Sequence, residues 1–286
     1  MRIAHLIMAY KNPVQLERLI RKLDHFQFDI YIHLDKKINA QAFDYMADFN
    51  RVFFIENRVI CNWGGFSFVR AISNSVREIL SKDENYEYIN LISAQDYPIK
   101  TNDYIYNYIE KHRGLSFISY DKSSNSDWWN HAVTRYELYH FTDINIKGRY
   151  LLQGLLNRYM PKRRFPVDWV LYGSAVSSWW TITTDCARYI VNYLDNNSKL
   201  MNFMKFTWAA DEFLYTSIIM NSPFRESTVN NNLRYIEWEE GKPNPRIFKV
   251  NNLESLKTSE QLFARKFDTD IDINVLDELD KYLDHI

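Results

Sequence analysis

Two adjacent acids, Asp211 and Glu212, stand where their chemistry suits proton transfer. Aromatic and small residues surround them (WAA before, FLY after), and the pattern predicts a helix over residues 210–220 with both acids in its first turn. Neighbouring helical positions point about 100° apart, so one acid can stabilise the helix start while the other stays free. An apolar neighbourhood raises the proton affinity of a carboxylate towards that of a general base. A plain acidic pair at a helix start is the alternative.

Two separated cations near the C-terminus, Arg246 and Lys266, are candidates for binding an anion. Arg246 ends the proline-framed segment PNPR, which begins at Pro243, and Lys266 lies in RKFD. Arg and Lys together can hold a diphosphate without a metal, although a surface charge is the simpler alternative for each. The acidic run at 268–272 (DTDID) precedes the last predicted helix, which favours capping and solvation over binding of Mn²⁺ or Mg²⁺.

Polar residues also follow two predicted buried strands. One strand covers residues 28–34 (FDIYIHL) and ends at Asp35; another covers 88–92 (YINLI) and ends before the segment that contains Gln95 and Asp96. Pro98 is then expected to prevent the second strand from continuing. Open α/β sheets bind ligands at the carboxyl ends of their strands, so these side chains are expected at one cleft. A turn or helix-capping role is the alternative for Asp35.

Strands and helices alternate through the first 110 residues, which predicts an α/β fold with a parallel sheet covered on both faces. From residue 115 the pattern changes, but no linker or repeat interrupts the chain. We therefore expect one domain over residues 1–286, with a Rossmann-like nucleotide-binding half at about 1–114 and an acceptor and catalytic half at about 115–286. With 7 glycines and neither G-x-G-x-x-G nor a P-loop motif, the usual phosphate cradles are excluded.

Composition excludes several classes of protein. The chain is 46% hydrophobic and 25% charged with a formal net charge of −1, which gives no argument for nucleic-acid binding. Cys61 and Cys186 form neither a metal-ligand spacing nor a disulfide framework, and no His and carboxylate cluster has metal spacing, so no metal site is expected. Without an apolar run of eighteen residues, a cytoplasmic protein is expected. The basic cluster 162–164 (KRR) could hold it at the inner face of a membrane, with a solvated loop as the alternative.

Eight blocks in a fixed order give the chain a family resemblance: IMAYKNP, YIHLDKK, WGGFSFVRA, LISAQDYPIKTN, SSWWTIT, AADEFLYTSI, IEW…NPR and LFARKFD. Their order resembles the core-2/I-branching β-1,6-N-acetylglucosaminyltransferase and peptide O-xylosyltransferase family, glycosyltransferase family fourteen. The resemblance implies a GT-A fold and inverting transfer of a sugar from a UDP donor, with no metal or other cofactor.

The same resemblance implies contacts to each part of a UDP-sugar. The residues with an implied role are Ile7 and Asp35 at the uridine, Gln95 and Asp96 beside the donor sugar, Glu212 as the catalytic base, Arg246 and Lys266 at the diphosphate, and Trp238 lining the sugar site.

The chain departs from the family pattern at two places. Ala210 stands where the family has a proline before Asp-Glu, and the Gly-Ser that the family places before an aromatic pair is separated from it here (GSAVSSWW). Ser174 and Ser177 therefore compete for one role, and neither is assigned.

The resemblance leaves the substrates and the activity itself partly open. It favours N-acetylglucosamine as the donor sugar and a glycan or lipid-linked acceptor. Xylose, another UDP-hexose, or a non-catalytic glycan- or nucleotide-binding protein on the same fold are the alternatives. The animal branching enzymes are disulfide-rich and membrane-anchored; because this sequence shows neither feature, a bacterial-type member is expected.

Overall fold

The computed structural model describes residues 1–82, 85–124, 127–239 and 244–285. Pro243, the first residue of the proline-framed segment, lies outside these ranges. No helix within them is long and apolar enough to cross a membrane.

The strands of the described residues are short except for three at the centre of the molecule. In chain order they are β1 (Ile3–Ala9), β2 (Phe28–Leu34), β3 (Val52–Phe54), β4 (Tyr88–Ser93), β5 (Asp96–Pro98), β6 (Ser116–Ile118), β7 (Asp121–Lys122), β8 (Tyr172–Gly173), β9 (Trp180–Thr183), β10 (Thr228–Val229), β11 (Arg234–Ile236) and β12 (Phe263–Arg265).

The helices form the layers on the two faces of the central sheet. They are α1 (Pro13–Lys22), α2 (Phe66–Leu80), α3 (Asn102–Lys111), α4 (Asp127–Ala132), α5 (Thr134–Glu137), α6 (Arg149–Tyr159), α7 (Thr184–Asp195), α8 (Ser198–Met204), α9 (Leu214–Met220), α10 (Leu253–Thr258) and α11 (Asn274–Asp284), with short 3₁₀ turns at Ala40–Ala42, Asp44–Asp48, Ala210–Glu212, Pro223–Ser227 and Val250–Asn252.

The central sheet has the strand order β10-β6-β9-β4-β1-β2-β3 over the described residues. Strands β4, β1, β2 and β3 are parallel, as the alternation of strands and helices predicted, and the α/β class is confirmed. The sheet as a whole is mixed, because β9, which comes from beyond the first 110 residues, pairs antiparallel with both β4 and β6. β9 comes from the second half of the chain, so strands of both predicted halves share one sheet.

Strands β1, β2 and β4 lie side by side in the central sheet and are buried along their whole length. Leu6 belongs to a core shared with α2, α7 and α9, whereas its neighbour Ile7 belongs to a second core shared with α1, α3 and α11. Successive side chains of a strand point to opposite faces, so a strand covered on both sides carries a continuous apolar run. That is why the sequence identified these strands.

A second sheet of the described residues, in the order β11-β12-β5, packs beside the strand ends. β4 ends at Ser93, so that strand does not continue through Pro98, as predicted, but a separate strand that was not predicted, β5, includes Pro98 and pairs antiparallel with β12. Pro98 is the last residue of an edge strand, a position that a residue without an N–H donor tolerates. This pairing places Arg265 opposite Asp96.

The helix predicted over residues 210–220 is interrupted. Ala210–Glu212 is a 3₁₀ turn, and α9 begins only at Leu214, after Phe213 adopts φ −147°. Ala209 before the turn has φ +47°, in the left-handed region. Helix α6 ends at Tyr159, before the basic cluster 162–164.

Candidate functional site

A cleft of about 400 Å³ lies at the carboxyl ends of β1, β2 and β4, where the polar strand ends predicted a site. Five of the residues predicted to contact substrate line it: Asp35, Gln95, Glu212, Trp238 and Lys266. Residues far apart in sequence therefore meet at one place, as expected from the sheet topology.

Three predicted residues are not among those that line the cleft. The side chain of Ile7 is fully buried in the core beneath α1, and its strand neighbours Met8 and Ala9 line the cleft instead. Asp96 is 1% exposed and lies behind Arg265. Arg246 donates to Glu237 at 2.7 Å, so its charge is already paired.

Glu212 is held at the cleft by an ion pair. Its carboxylate accepts a hydrogen bond from the Arg135 guanidinium, and the two side chains are 21% and 15% exposed. Burial raises the pKa of Glu212 to about 7, nearby Asp211 acts in the same direction, and Arg135 opposes both. A carboxylate with this pKa is half deprotonated near neutral pH and basic enough to accept a proton.

Asp211 serves a different purpose from Glu212. Its carboxylate accepts a hydrogen bond from Ser178 Oγ at 2.6 Å, and burial raises its pKa. The two acids thus have separate partners, which agrees with their separation around the turn.

Arg135, which the sequence did not single out, is fixed by two indole rings. Its guanidinium carbon lies 4.9 Å from the ring centre of Trp128 and 4.7 Å from that of Trp208. Trp208 in turn fills the space above Gly64, where a Cβ would collide with the indole and where φ is +68°. The only sequence signal was the density of aromatic residues over 127–141, which contains no motif.

Gly173 and Ser174 support the backbone of Glu212. A Cβ on Gly173 would lie 2.5 Å from the Glu212 carbonyl oxygen, and the Ser174 N–H donates to that oxygen at 3.2 Å. Ser177 Oγ donates to the Ser119 carbonyl at 2.5 Å. Neither serine lines the cleft, whereas Ser178, next in sequence, does.

Asp35 lines the cleft and also organises the turn after β2, so both sequence interpretations hold together. Its Oδ1 accepts from the Lys37 N–H at 2.9 Å and from the Cys61 N–H at 3.4 Å. Its Oδ2 lies 3.6 Å from Lys37 Nζ, on the same cleft. Cys61 is half-buried and Cys186 buried, and both are free thiols.

At the end of β4, Gln95 and Asp96 have different surroundings. Gln95 accepts a hydrogen bond from Tyr10 Oη at 2.6 Å and lines the cleft. Asp96 Oδ1 lies 3.4 Å from Arg265 Nη1, and the Arg265 guanidinium stacks 4.2 Å from the ring centre of Trp179. The buried cation of Arg265 thus lies between Asp96 and the cleft, and the role of Asp96 beside a donor sugar stays a prediction.

Lys266 is the cation best placed to receive an anionic ligand. It lines the cleft, and within the described ranges no hydrogen bond or ion pair holds its ammonium group. Burial and the nearby charges of Arg265 and Lys11 lower the pKa of Lys266. An anion bound in the cleft would raise it again, because a nearby negative charge favours the protonated ammonium group. Among the described residues, no group of three or more His, Cys, Asp and Glu side chains is arranged to hold a metal ion.

Comparison with known proteins identifies relatives. A family model described as Core-2/I-Branching enzyme matches residues 3–261. Xylosyltransferase 2 of Canis lupus familiaris is 26% identical over 306 residues, and Xylosyltransferase 1 of Rattus norvegicus is 24% identical over 305 residues. These alignments cover 99% of this chain but 34% and 35% of the relatives, so the chain spans about a third of their length.

Among solved structures, mouse Xyloside xylosyltransferase 1 matches 92% of this chain and 97% of its own, at 10% identity and a TM-score of 0.40. That likeness is too slight to carry an argument. The family model, in contrast, matches most of the chain, and the matched residues contain seven of the eight sequence blocks. The chain belongs to the Core-2/I-branching enzyme family of glycosyltransferases.

Proposed function

We propose that this protein is an inverting glycosyltransferase of GT-A type that moves a sugar from a UDP donor to a glycan hydroxyl, with Glu212 as the general base. The observation that carries the proposal is the Glu212 carboxyl, whose pKa burial raises to about 7 at the wall of the cleft. Asp35 and Lys266, on the same cleft, suit the nucleoside and the diphosphate of the donor.

The reaction needs one displacement. The acceptor hydroxyl oxygen attacks the anomeric carbon, its proton passes to a Glu212 carboxylate oxygen, and the bond from that carbon to the UDP oxygen breaks. Inversion follows because the nucleophile enters opposite the leaving group. Lys266 and Arg265 would offset the charge that develops on departing UDP.

Independence from metal ions belongs to the proposal. Lys266 brings a positive charge to the cleft, and the Arg265 guanidinium, which is paired with Asp96, lies beside it. Positive charge at the diphosphate is what a divalent cation provides in other transferases. Of the two cations expected at the diphosphate, Lys266 is the one that we propose binds it. The paired Arg246 could take part only by exchanging Glu237 for phosphate.

The donor sugar is proposed to be N-acetylglucosamine, on the resemblance to branching enzymes. Xylose is the alternative, favoured by the names of the relatives, which are xylosyltransferases. Gln95 and Trp238 line the cleft where the two sugars would be distinguished, since the acetamido group and the C6 hydroxymethyl of N-acetylglucosamine are both absent from xylose.

A donor panel tests the proposal. Binding of UDP-N-acetylglucosamine, UDP-xylose, UDP-glucose and UDP-galactose is measured by calorimetry, and release of UDP is followed with oligosaccharide acceptors in EDTA. We expect tight binding of UDP, turnover of one donor and full activity in EDTA. Binding without turnover of any donor would favour the non-catalytic alternative, and strict dependence on Mn²⁺ would contradict metal independence.

A further inference from the structure

Helix α6 has its polar side facing the protein and its apolar side facing outwards. The inner positions are Arg149, Gln153, Leu156 and Asn157, which are the partly buried ones. Gln153 Oε1 accepts from the Phe141 N–H at 2.8 Å. Asn157 holds the backbone of Tyr139 by two hydrogen bonds, of 2.7 Å to its N–H and 2.9 Å to its carbonyl. Amide groups rather than apolar packing therefore attach this helix.

The outer side of the helix and its flanks expose large apolar side chains. Leu151 is 74% exposed and Tyr159 73% exposed, and the full set, which we call the α6 face, is Ile146, Tyr150, Leu151, Leu152, Leu155, Tyr159 and Met160. A surface helix of a water-soluble protein normally buries its apolar stripe and exposes its polar one. A contiguous exposed apolar patch of this kind marks an interaction site.

The charges around the α6 face have one sign. Residues 144–167 contain six Lys and Arg residues and no Asp or Glu. Two members of the basic cluster are bound within the protein: Arg163 donates to the Phe206 carbonyl at 2.7 Å, and Lys162 contacts Glu137 at 2.5 Å. Lys147, Arg158 and Arg164 remain exposed at the borders of the patch.

We propose that the α6 face docks on the surface of an anionic lipid bilayer. A helix that carries Leu and Tyr on one side, with Lys and Arg beside them, has the composition of helices that lie in the membrane interface. The apolar side chains enter the acyl boundary while the exposed cations meet the lipid phosphates. This places the contact on the helix itself, with the cluster 162–164 contributing through Arg164.

A second copy of this chain fits the α6 face less well. A two-fold contact would bring Lys147, Arg158 and Arg164 of both copies to one interface without an acid between residues 144 and 167 to neutralise them. Like charges at an interface disfavour association, whereas anionic lipid is attracted by them.

The docking helix is connected to the candidate site by short hydrogen-bonded steps. Asn157 holds Tyr139, the His140 N–H donates to the Phe206 carbonyl at 3.0 Å, and the Trp208 N–H donates to the Arg135 carbonyl at 3.0 Å. A bilayer bound at α6 would thus be fixed relative to the ion pair of Glu212. Such an arrangement suits an acceptor carried by lipid.

Cosedimentation with vesicles tests this inference. We expect the protein to pellet with vesicles of phosphatidylcholine mixed with phosphatidylglycerol and to remain in solution with phosphatidylcholine alone. Replacing Leu151, Leu155 and Tyr159 together with Gln should abolish pelleting. Replacing Lys147, Arg158 and Arg164 together with Gln should weaken it about a hundredfold, roughly fivefold per charge.

The matched control is Val14→Gln with Ile271→Gln, two exposed apolar residues away from α6, which should pellet like the wild type. Thermal melting and transfer to a water-soluble acceptor should be unchanged in all three variants. The inference is overturned if the wild type ignores anionic vesicles, or if the apolar triple variant still binds them. It is also overturned if light scattering shows a dimer that this variant dissociates while vesicles have no effect.

Discussion

The carboxylate of Glu212 lies between two opposing influences, burial among aromatic residues and the charge of Arg135. Only the deprotonated carboxylate can accept the proton of an acceptor hydroxyl. We therefore predict that kcat/KM increases with pH and is half-maximal near pH 7, the pKa that burial gives Glu212. Initial rates measured over a pH series at low donor concentration would give this pH dependence. A kcat/KM that no longer changes with pH above pH 5 would contradict the prediction.

Removing Arg135 should raise the pH at which kcat/KM is half-maximal. In Arg135→Met the carboxylate loses the cation that favours its charged form, so its pKa increases, by about one unit or more. We expect the pH profile to shift to higher pH with a lower rate at neutrality. Arg113→Met is the matched control, because Arg113 pairs with Glu87 at an exposed position. An unshifted profile in Arg135→Met would show that the ion pair does not tune the base.

The two cations assigned to the diphosphate should differ in their effect. Lys266 lines the cleft without a hydrogen-bond or ion-pair partner among the residues that the structure describes, whereas Arg246 is bonded to Glu237. Loss of one hydrogen bond to a charged group costs about 1.5–3 kcal/mol, so Lys266→Ala should weaken UDP binding roughly 10- to 100-fold. Arg246→Ala should weaken it less. Calorimetry with UDP compares them; the reverse order would mean that Arg246 leaves Glu237 when UDP binds.

At the scale of the elements, the position of the base depends on a close approach of β8 to the turn Ala210–Glu212. We predict that Gly173→Ala lowers kcat and destabilises the fold by about 1–3 kcal/mol, since its Cβ would overlap the Glu212 carbonyl and Phe213. Gly154→Ala on α6 is the control, because it meets no neighbour and should stabilise the helix by about 0.5–1 kcal/mol. Equal behaviour of the two variants in urea unfolding would refute the packing argument.

The turn Ala210–Glu212 also shows which features of the secondary structure could not be predicted from the sequence. The central strands β2 and β4 were predicted almost to the residue, because their buried runs are local features. The interruption of the helix at Phe213 was not predicted, because it depends on Gly173 and Ser174, forty residues away. β5 was missed for a similar reason: a three-residue strand that contains Pro98 exists only because β12 pairs with it.

At the scale of the whole molecule, the sheet β11-β12-β5 is tied together by the buried pair of Asp96 and Arg265. Removing one partner of a buried pair leaves an uncompensated charge, so Asp96→Asn should lower the free energy of unfolding by about 3 kcal/mol. Asp284→Asn, which removes an exposed pair with Lys22, should cost under about 1 kcal/mol. Urea unfolding measures both; a small effect of Asp96→Asn would contradict a structural role.

Five of the eight predicted site residues line the cleft, whereas the side chains that support them were not predicted. Asp35, Gln95, Glu212, Trp238 and Lys266 were found from strand ends, an acidic turn and matching blocks. Arg135, Trp208, Ser178 and Arg265 act through packing that unites distant segments, which spacing along the chain does not reveal. The mixed sheet likewise arises from the insertion of β9, a strand of the second half, between β4 and β6.

The most direct measurement compares transfer and UDP binding in Glu212→Gln. Gln keeps the shape of the side chain but cannot accept the proton, so we predict that kcat drops by about 10²–10⁴ while the affinity for UDP is unchanged. If the variant turned over at the wild-type rate, Glu212 would not be the base and the account of this cleft would be wrong.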